Sequence, residues 1–101
     1  MSMDYTREKF WQAVHTLATS PARIQERLAG AAQFLMRLHE FDDLPEEYRQ
    51  EFRAVWNELT AEQATGNEGS FEEVTRKLTD EQSRKLADRI LSIYTGLRGG
   101  I

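Results

Sequence analysis

A chain of 101 residues with a net charge of −4 is long enough for one modest hydrophobic core and too short for two. The absence of cysteine excludes disulfides, thiolate metal ligands and a thiol nucleophile. The acidic balance argues against nonspecific binding to nucleic acid, which relies on clustered Lys and Arg, and MSMDYTREKFWQ holds no apolar run that would predict a signal peptide or membrane span, so the expected location is cytoplasmic.

A first helix over about residues 3–17 puts Phe10, Val14 and Leu17 on one line, with Trp11 and Ala18 beside it. Ser20-Pro21 then punctuates the chain. Ser suits the N-cap, where it accepts from orphan amides, and Pro at the first helical position loses no helix bond. The second helix, PARIQERLAGAAQFLMRLHEF over 21–41, is the most apolar. At about 100° per residue, Ile24, Leu28, Ala31, Leu35 and Leu38 fall on one line, and Ala32, Phe34, Met36 and Phe41 widen the arc to roughly 220°. An ordinary surface helix needs little more than a stripe of about 100°. This helix must therefore be surrounded, by the rest of the chain or by a second copy.

Asp43-Leu44-Pro45-Glu46 combines a capping acid, an early proline and a reciprocal Glu, and opens a third helix. Its stripe is Tyr48, Phe52, Val55, Trp56 and Leu59, solvated by Glu47, Arg49, Glu51, Arg53 and Glu58 on the other sides. Residues 64–69, ATGNEG, read as a loop. Ser70-Phe71-Glu72-Glu73 caps a short fourth helix with Phe71, Val74 and Leu78 inward. Thr79-Asp80-Glu81-Gln82 caps a fifth, with Leu86, Ile90, Ile93 and Leu97 inward and Ala87, Leu91 and Tyr94 widening its face. Glu72–Arg76, Glu73–Lys77 and Glu81–Lys85 are i,i+4 pairs in the favourable order. Gly96 reads as the helix stop with Leu97 as its clasp. The expected organisation is one all-α domain over 1–95, a bundle of four main helices and a short one with the second helix central, followed by a flexible tail over 96–101.

Few residues invite chemistry. His39 lies inside the apolar arc with Glu40, Asp42 and Asp43 behind it, which suggests a metal site. Glu40 points about 100° away, however, so a buried structural histidine near a helix C-terminus is the better reading. His15 has no Ser or acid close in sequence to make it a general base. The Arg–His spacing of the helical HEPN ribonucleases is not matched, since Arg7 precedes His15 by too much and Arg37 lies only two residues from His39. Arg27 also falls inside the apolar arc. A guanidinium there must snorkel or find a carboxylate, and a salt bridge to the acid-rich third helix is preferred over anion binding. Residues 70–94 could form a helix-turn-helix with Ser83, Arg84, Lys85 and Arg89 facing DNA, but Asp80, Glu81 and Asp88 offset those bases, so nucleic acid is not the expected partner.

The run Ser20-Pro21…Ile24-Gln25-Glu26-Arg27-Leu28, then Asp43-Leu44-Pro45-Glu46-Glu47 with Phe52 and Leu59-Thr60, then Asp80-Glu81…Leu86-Ala87…Arg89-Ile90-Leu91…Tyr94 resembles a scattered group of small bacterial all-helical proteins of unknown function. The resemblance covers most of the chain and rests on caps and core positions. It implies a shared fold and no activity.

The sequence thus predicts a non-enzymatic helical protein without metal or cofactor, working through an unidentified protein partner and through self-association. The fifth helix displays apolar side chains over roughly 160°, more than one neighbour requires, so Leu91 and Tyr94 at its edge, with Trp11, are the candidate interface of a two-fold dimer. A DNA-binding regulator using residues 70–94 ranks second. A small hydrolase or ribonuclease using His15 or His39 ranks last.

Overall fold

Among the described residues five α-helices form, in the expected order: α1 (Met3–Thr19), α2 (Ile24–Leu35), α3 (Glu46–Leu59), α4 (Phe71–Thr75) and α5 (Asp80–Leu97). A computed structural model describes residues 3–38, 44–60 and 71–99, and no strand occurs among them. Helix α2 packs against α1, α4 and α5, while α3 covers α5 and touches α4. The fold is a small all-α bundle arranged around α2.

Small side chains let α2 serve so many neighbours. Ala29, Ala31 and Ala32 are buried with Leu28 and Leu35, and short side chains at a contact let helix axes approach closely. A Cβ added at Gly30 would lie 3.3 Å from Thr16 Cγ2 of α1, so that crossing is tight as well. The buried side chains from Ala31 round to Ala29 cover about 160°. This arc is narrower than expected and is turned toward Gln25 and Ala29. Ile24 and Phe34 are only half-buried.

Both ends of α2 differ from the sequence expectation. Ser20 does not cap it. The Ser20 amide continues α1 by donating to Thr16 O, and its Oγ accepts from the Ala22 amide at 3.3 Å. This is the short-range turn that serine side chains form as readily as caps. Helix α2 starts after Arg23, whose side chain makes no capping bond. At the other end the helix tightens after Leu35 into a 3₁₀ turn, Met36–Leu38. The tighter winding keeps Leu38 buried and turns Met36 out, 41% exposed, so Met36 does not widen the apolar face. Phe41, and with it the expected extent of the helix to that residue, lies outside the described residues.

Helix α1 presents Thr6, Phe10 and Ala13 to the core, with Val14 and Leu17 partly covered at the side. Phe10 meets Phe52 of α3 edge-on, with centroids 5.5 Å apart, and the aromatic contacts continue through Trp56 to Phe71 of α4. Helix α3 buries Phe52, Val55 and Leu59 of its expected stripe. Helix α3 starts later than expected, at Glu46, with Pro45 in the N-cap position and no side-chain bond capping it, so the proline precedes the first turn and Asp43 is not the cap. Asp43 itself, the cap of α4 at Ser70 and the loop over 64–69 lie outside the described residues.

Helix α5 opens as the sequence indicates. Thr79 Oγ1 accepts from the Gln82 amide at 3.0 Å and the Gln82 side chain accepts from the Thr79 amide at 2.8 Å, a reciprocal capping box. Leu86, Ile90, Ile93 and Leu97 are all buried. Gly96, however, is not the stop. It lies inside the helix, where an added Cβ would fall on the Tyr48 side chain of α3. The turn-off comes at Gly99, with φ of 96°, whose amide donates to Gly96 O. Packing against Tyr48, rather than chain termination, accounts for the glycine at 96, and Leu97 completes α5 in the core.

Leu35→Ala should destabilise the fold by roughly 2–5 kcal/mol, the usual cost of emptying a packed leucine site; denaturant unfolding measures it, and a loss under about 1 kcal/mol would show that Leu35 is peripheral. Gly96→Ala should cost about 1–3 kcal/mol through overpacking against Tyr48, despite alanine's better helix propensity. A stabilised Gly96→Ala variant would mean that α3 stands off from α5.

Candidate functional site

Helices α1 and α5 run antiparallel. Arg7 Nε near the start of α1 donates to Leu97 O at the end of α5, at 2.8 Å. At the opposite end, Val14, Leu17 and Ala18 share a groove of about 310 Å³ with Arg84, Ala87, Asp88 and Leu91. The two alanines leave the groove open where larger side chains would fill it. Periodicity explains which large apolar side chains of these two helices stay in solvent. Trp11 follows buried Phe10 and Leu91 follows buried Ile90, so each lies about 100° round its helix from the core. Trp11 is 49% exposed and Leu91 45%. The Trp11 indole stacks on the His15 imidazole with centroids 5.0 Å apart. Tyr94 is half-buried, with the Arg98 guanidinium 5.7 Å from its ring centre. Of the three interface candidates, Trp11 and Leu91 are therefore open to contact and Tyr94 partly so.

A second, polar pocket of about 280 Å³ lies where the start of α2 meets α4, lined by Arg23, Gln25, Glu26, Glu72, Glu73, Thr75 and Arg76. Gln25 is its structural anchor and is 5% exposed. Its Nε2 donates to Leu78 O at 3.1 Å and to Asp80 Oδ1 at 2.8 Å, tying α2 to the corner between α4 and α5. Arg76 is held by Glu73 at 2.9 Å. No sequence signal singles out Gln25, because both of its partners lie more than fifty residues away in the chain.

Arg27 does not pair with an acid of α3. Its Nη1 donates to Leu17 O at 2.8 Å. The reason is the bundle's order: this side of α2 faces α1, and the Leu17 carbonyl belongs to the last turn of α1, where carbonyls lack helix partners and attract cations. His39 lies outside the described residues. His15 is exposed, and among the described residues no hydrogen bond orients its imidazole. No group of three or more His, Asp or Glu is placed to hold a metal among the described residues.

The four residues of the nucleic-acid reading do not form one open basic face. Ser83 is fully buried. Arg84 bonds Glu81 through Nε at 3.2 Å and Nη2 at 2.7 Å, a pair that lowers the Glu81 pKa and raises that of Arg84. Arg89 spans to α3, with Nε on Glu51 and Nη1 on Glu58, both at 2.7 Å, and its pKa is raised first by the Glu51 bond. The expected Glu72–Arg76 and Glu81–Lys85 pairs are replaced by i,i+3 bonds, Glu73–Arg76 and Glu81–Arg84. Three-residue spacing also brings side chains together on a helix, and here it gives the shorter reach.

No protein-family model matches the chain, and no solved structure matches it. Over an alignment 78 positions long the chain is 38% identical to the trigger factor of Rhodopseudomonas palustris. The alignment covers 67% of this chain and 17% of the trigger factor's length.

Because Arg89 is the polar tie between α3 and α5, Arg89→Ala should lower stability by about 1 kcal/mol or less, its partners being half in solvent. The difference between wild type and variant, read from thermal unfolding, should narrow in molar salt as exposed charge pairs are screened. A difference that is unchanged by salt would assign the loss to packing of the arginine stem instead.

Proposed function

We propose that this chain works by protein–protein contact rather than catalysis, in the cytoplasm, and that its first partner is a second copy of itself. One observation carries the reading: two large apolar side chains, Trp11 and Leu91, stand about half exposed on the face that α1 and α5 share. Folding leaves them there because the core faces of both helices are already occupied. Large solvent-facing apolar side chains beside an open groove are what contact surfaces offer, and tryptophan is among the residues that carry most binding energy in interfaces. The groove supplies the concave part of such a surface, lined chiefly by Val14, Leu17, Ala18 and Ala87. No helix among the described residues is long and apolar enough to cross a membrane. The likeness to a short stretch of a much longer protein fits a helical unit that functions by being joined to other protein surface.

Light scattering over a tenfold or wider concentration range tests this. The wild-type mass should rise toward that of a dimer by ~100 μM, where even a weak micromolar dimer is populated. Leu91→Glu should hold the chain monomeric with an unchanged helical spectrum. A strictly monomeric wild type at that concentration would overturn the reading.

A further inference from the structure

We infer that the second copy docks with its α5 antiparallel to the first, about a two-fold axis close to Ala87, and that Arg84 and Asp88 select it. This arrangement rests on the self-association reading above. The α5 wall of the groove is Arg84, Ala87, Asp88 and Leu91, a stripe at i, i+3, i+4 and i+7 along one helix face. Read along the chain it is cation, small, anion, apolar. A two-fold axis midway between Arg84 and Asp88, one residue from Ala87, reverses their order, so the cation of one copy stands over the anion of the other. A parallel pairing would set Arg84 against Arg84 and Asp88 against Asp88. The stripe is therefore complementary to itself in one orientation only, the property an isologous interface requires.

The hydrogen bonding leaves room for that exchange. Arg84 uses Nε and Nη2 on Glu81, so Nη1 has no hydrogen bond among the described residues. Asp88 is exposed and accepts no hydrogen bond among them. Each copy thus presents one guanidinium N–H group without a hydrogen bond and one exposed carboxylate, which attracts its own Arg84 only through space, on opposite sides of Ala87. A methyl side chain beside the axis lets the two α5 helices come within the ordinary distance of packed helices, about 8–10 Å. The antiparallel register then carries Leu91 of each copy to the end of the other's groove, beside Leu17 and Ala18, and covers the exposed large apolar residue of the α5 wall. An unrelated protein would need its own reversed stripe; a copy has it by symmetry.

The cysteine-free chain makes the arrangement directly testable. Ala87→Cys should form an oxidised disulfide dimer at least tenfold faster than Ser92→Cys, which sits about 140° away on the exposed side of the same helix. Arg84→Asp and Asp88→Arg should each raise the dimer dissociation constant about tenfold, and the double variant, with its charges exchanged, should return to within about threefold of wild type. Helical content of every variant is checked by circular dichroism, so that loss of fold is not read as loss of contact. A wild type that stays monomeric overturns this inference together with the proposed function. A dimer that is lost in Leu91→Glu, but with Ala87→Cys no faster than Ser92→Cys and no recovery in the double exchange, overturns the arrangement alone and leaves self-association standing.

Discussion

Helix α2 carries buried side chains around nearly half its circumference, and a helix so apolar cannot be left with only one neighbour. The positions of α1, α4 and α5 follow from that need. Alanines on α2 let α5 and α1 come close, and the Gly30–Thr16 contact marks how tight the α1 crossing is. Helix α4 is only five residues long and would have no stability by itself. It exists because Phe71 and Val74 close the side of α2 that α1 and α5 leave open. Helix α3 is the outer layer, joined to α5 by Phe52, Val55 and Leu59 beneath and by Arg89 above.

Two arginines close seams of this bundle through backbone carbonyls, where Arg89 uses acids. Arg7 donates to Leu97 O at the end of α5, and Arg27 donates to Leu17 O near the end of α1. Both carbonyls lie in a final helical turn, beyond the helix's own run of amide partners, where the helix dipole is negative. In each case the cation comes from a neighbouring helix, so a single side chain satisfies a carbonyl and sets the register of two elements. Gln25 does the same at the opposite corner, with an amide group in place of a charge. These ties are short and directional, whereas the apolar contacts are numerous and permissive. The latter make the bundle compact; the former limit how its helices can slide.

Most of the fold was legible because it depends on features local to each helix. The capping box of Thr79 and Gln82 lies within four residues, and the inward line Leu86, Ile90, Ile93 and Leu97 follows from helical period alone. Several of the errors fall where a residue's role depends on another helix. Arg27 was expected to face α3, but it faces α1, and nothing in its own helix says which neighbour lies on that side. Thr6 and Ala13, small and easily passed over, prove to be core residues of α1. Gly96 has the look of a stop, yet its space is taken by a tyrosine forty-eight positions earlier. The exposed pair Trp11 and Leu91 was readable as the edge of an apolar face. The charge pattern beside them could be spelled from sequence, but its meaning depends on the groove that α1 and α5 form together.

The chain's two tryptophans occupy opposite environments, and this divides what light can report. Trp56 is wedged between the rings of Phe52 and Phe71, part of the aromatic chain that joins α3 to α4. Trp11 is half in water, and its indole is stacked on the His15 imidazole. Emission from Trp56 follows the integrity of the interior, while emission from Trp11 follows whatever dries or uncovers the outer face of α1. Native fluorescence, without any attached dye, therefore separates unfolding from assembly in one molecule.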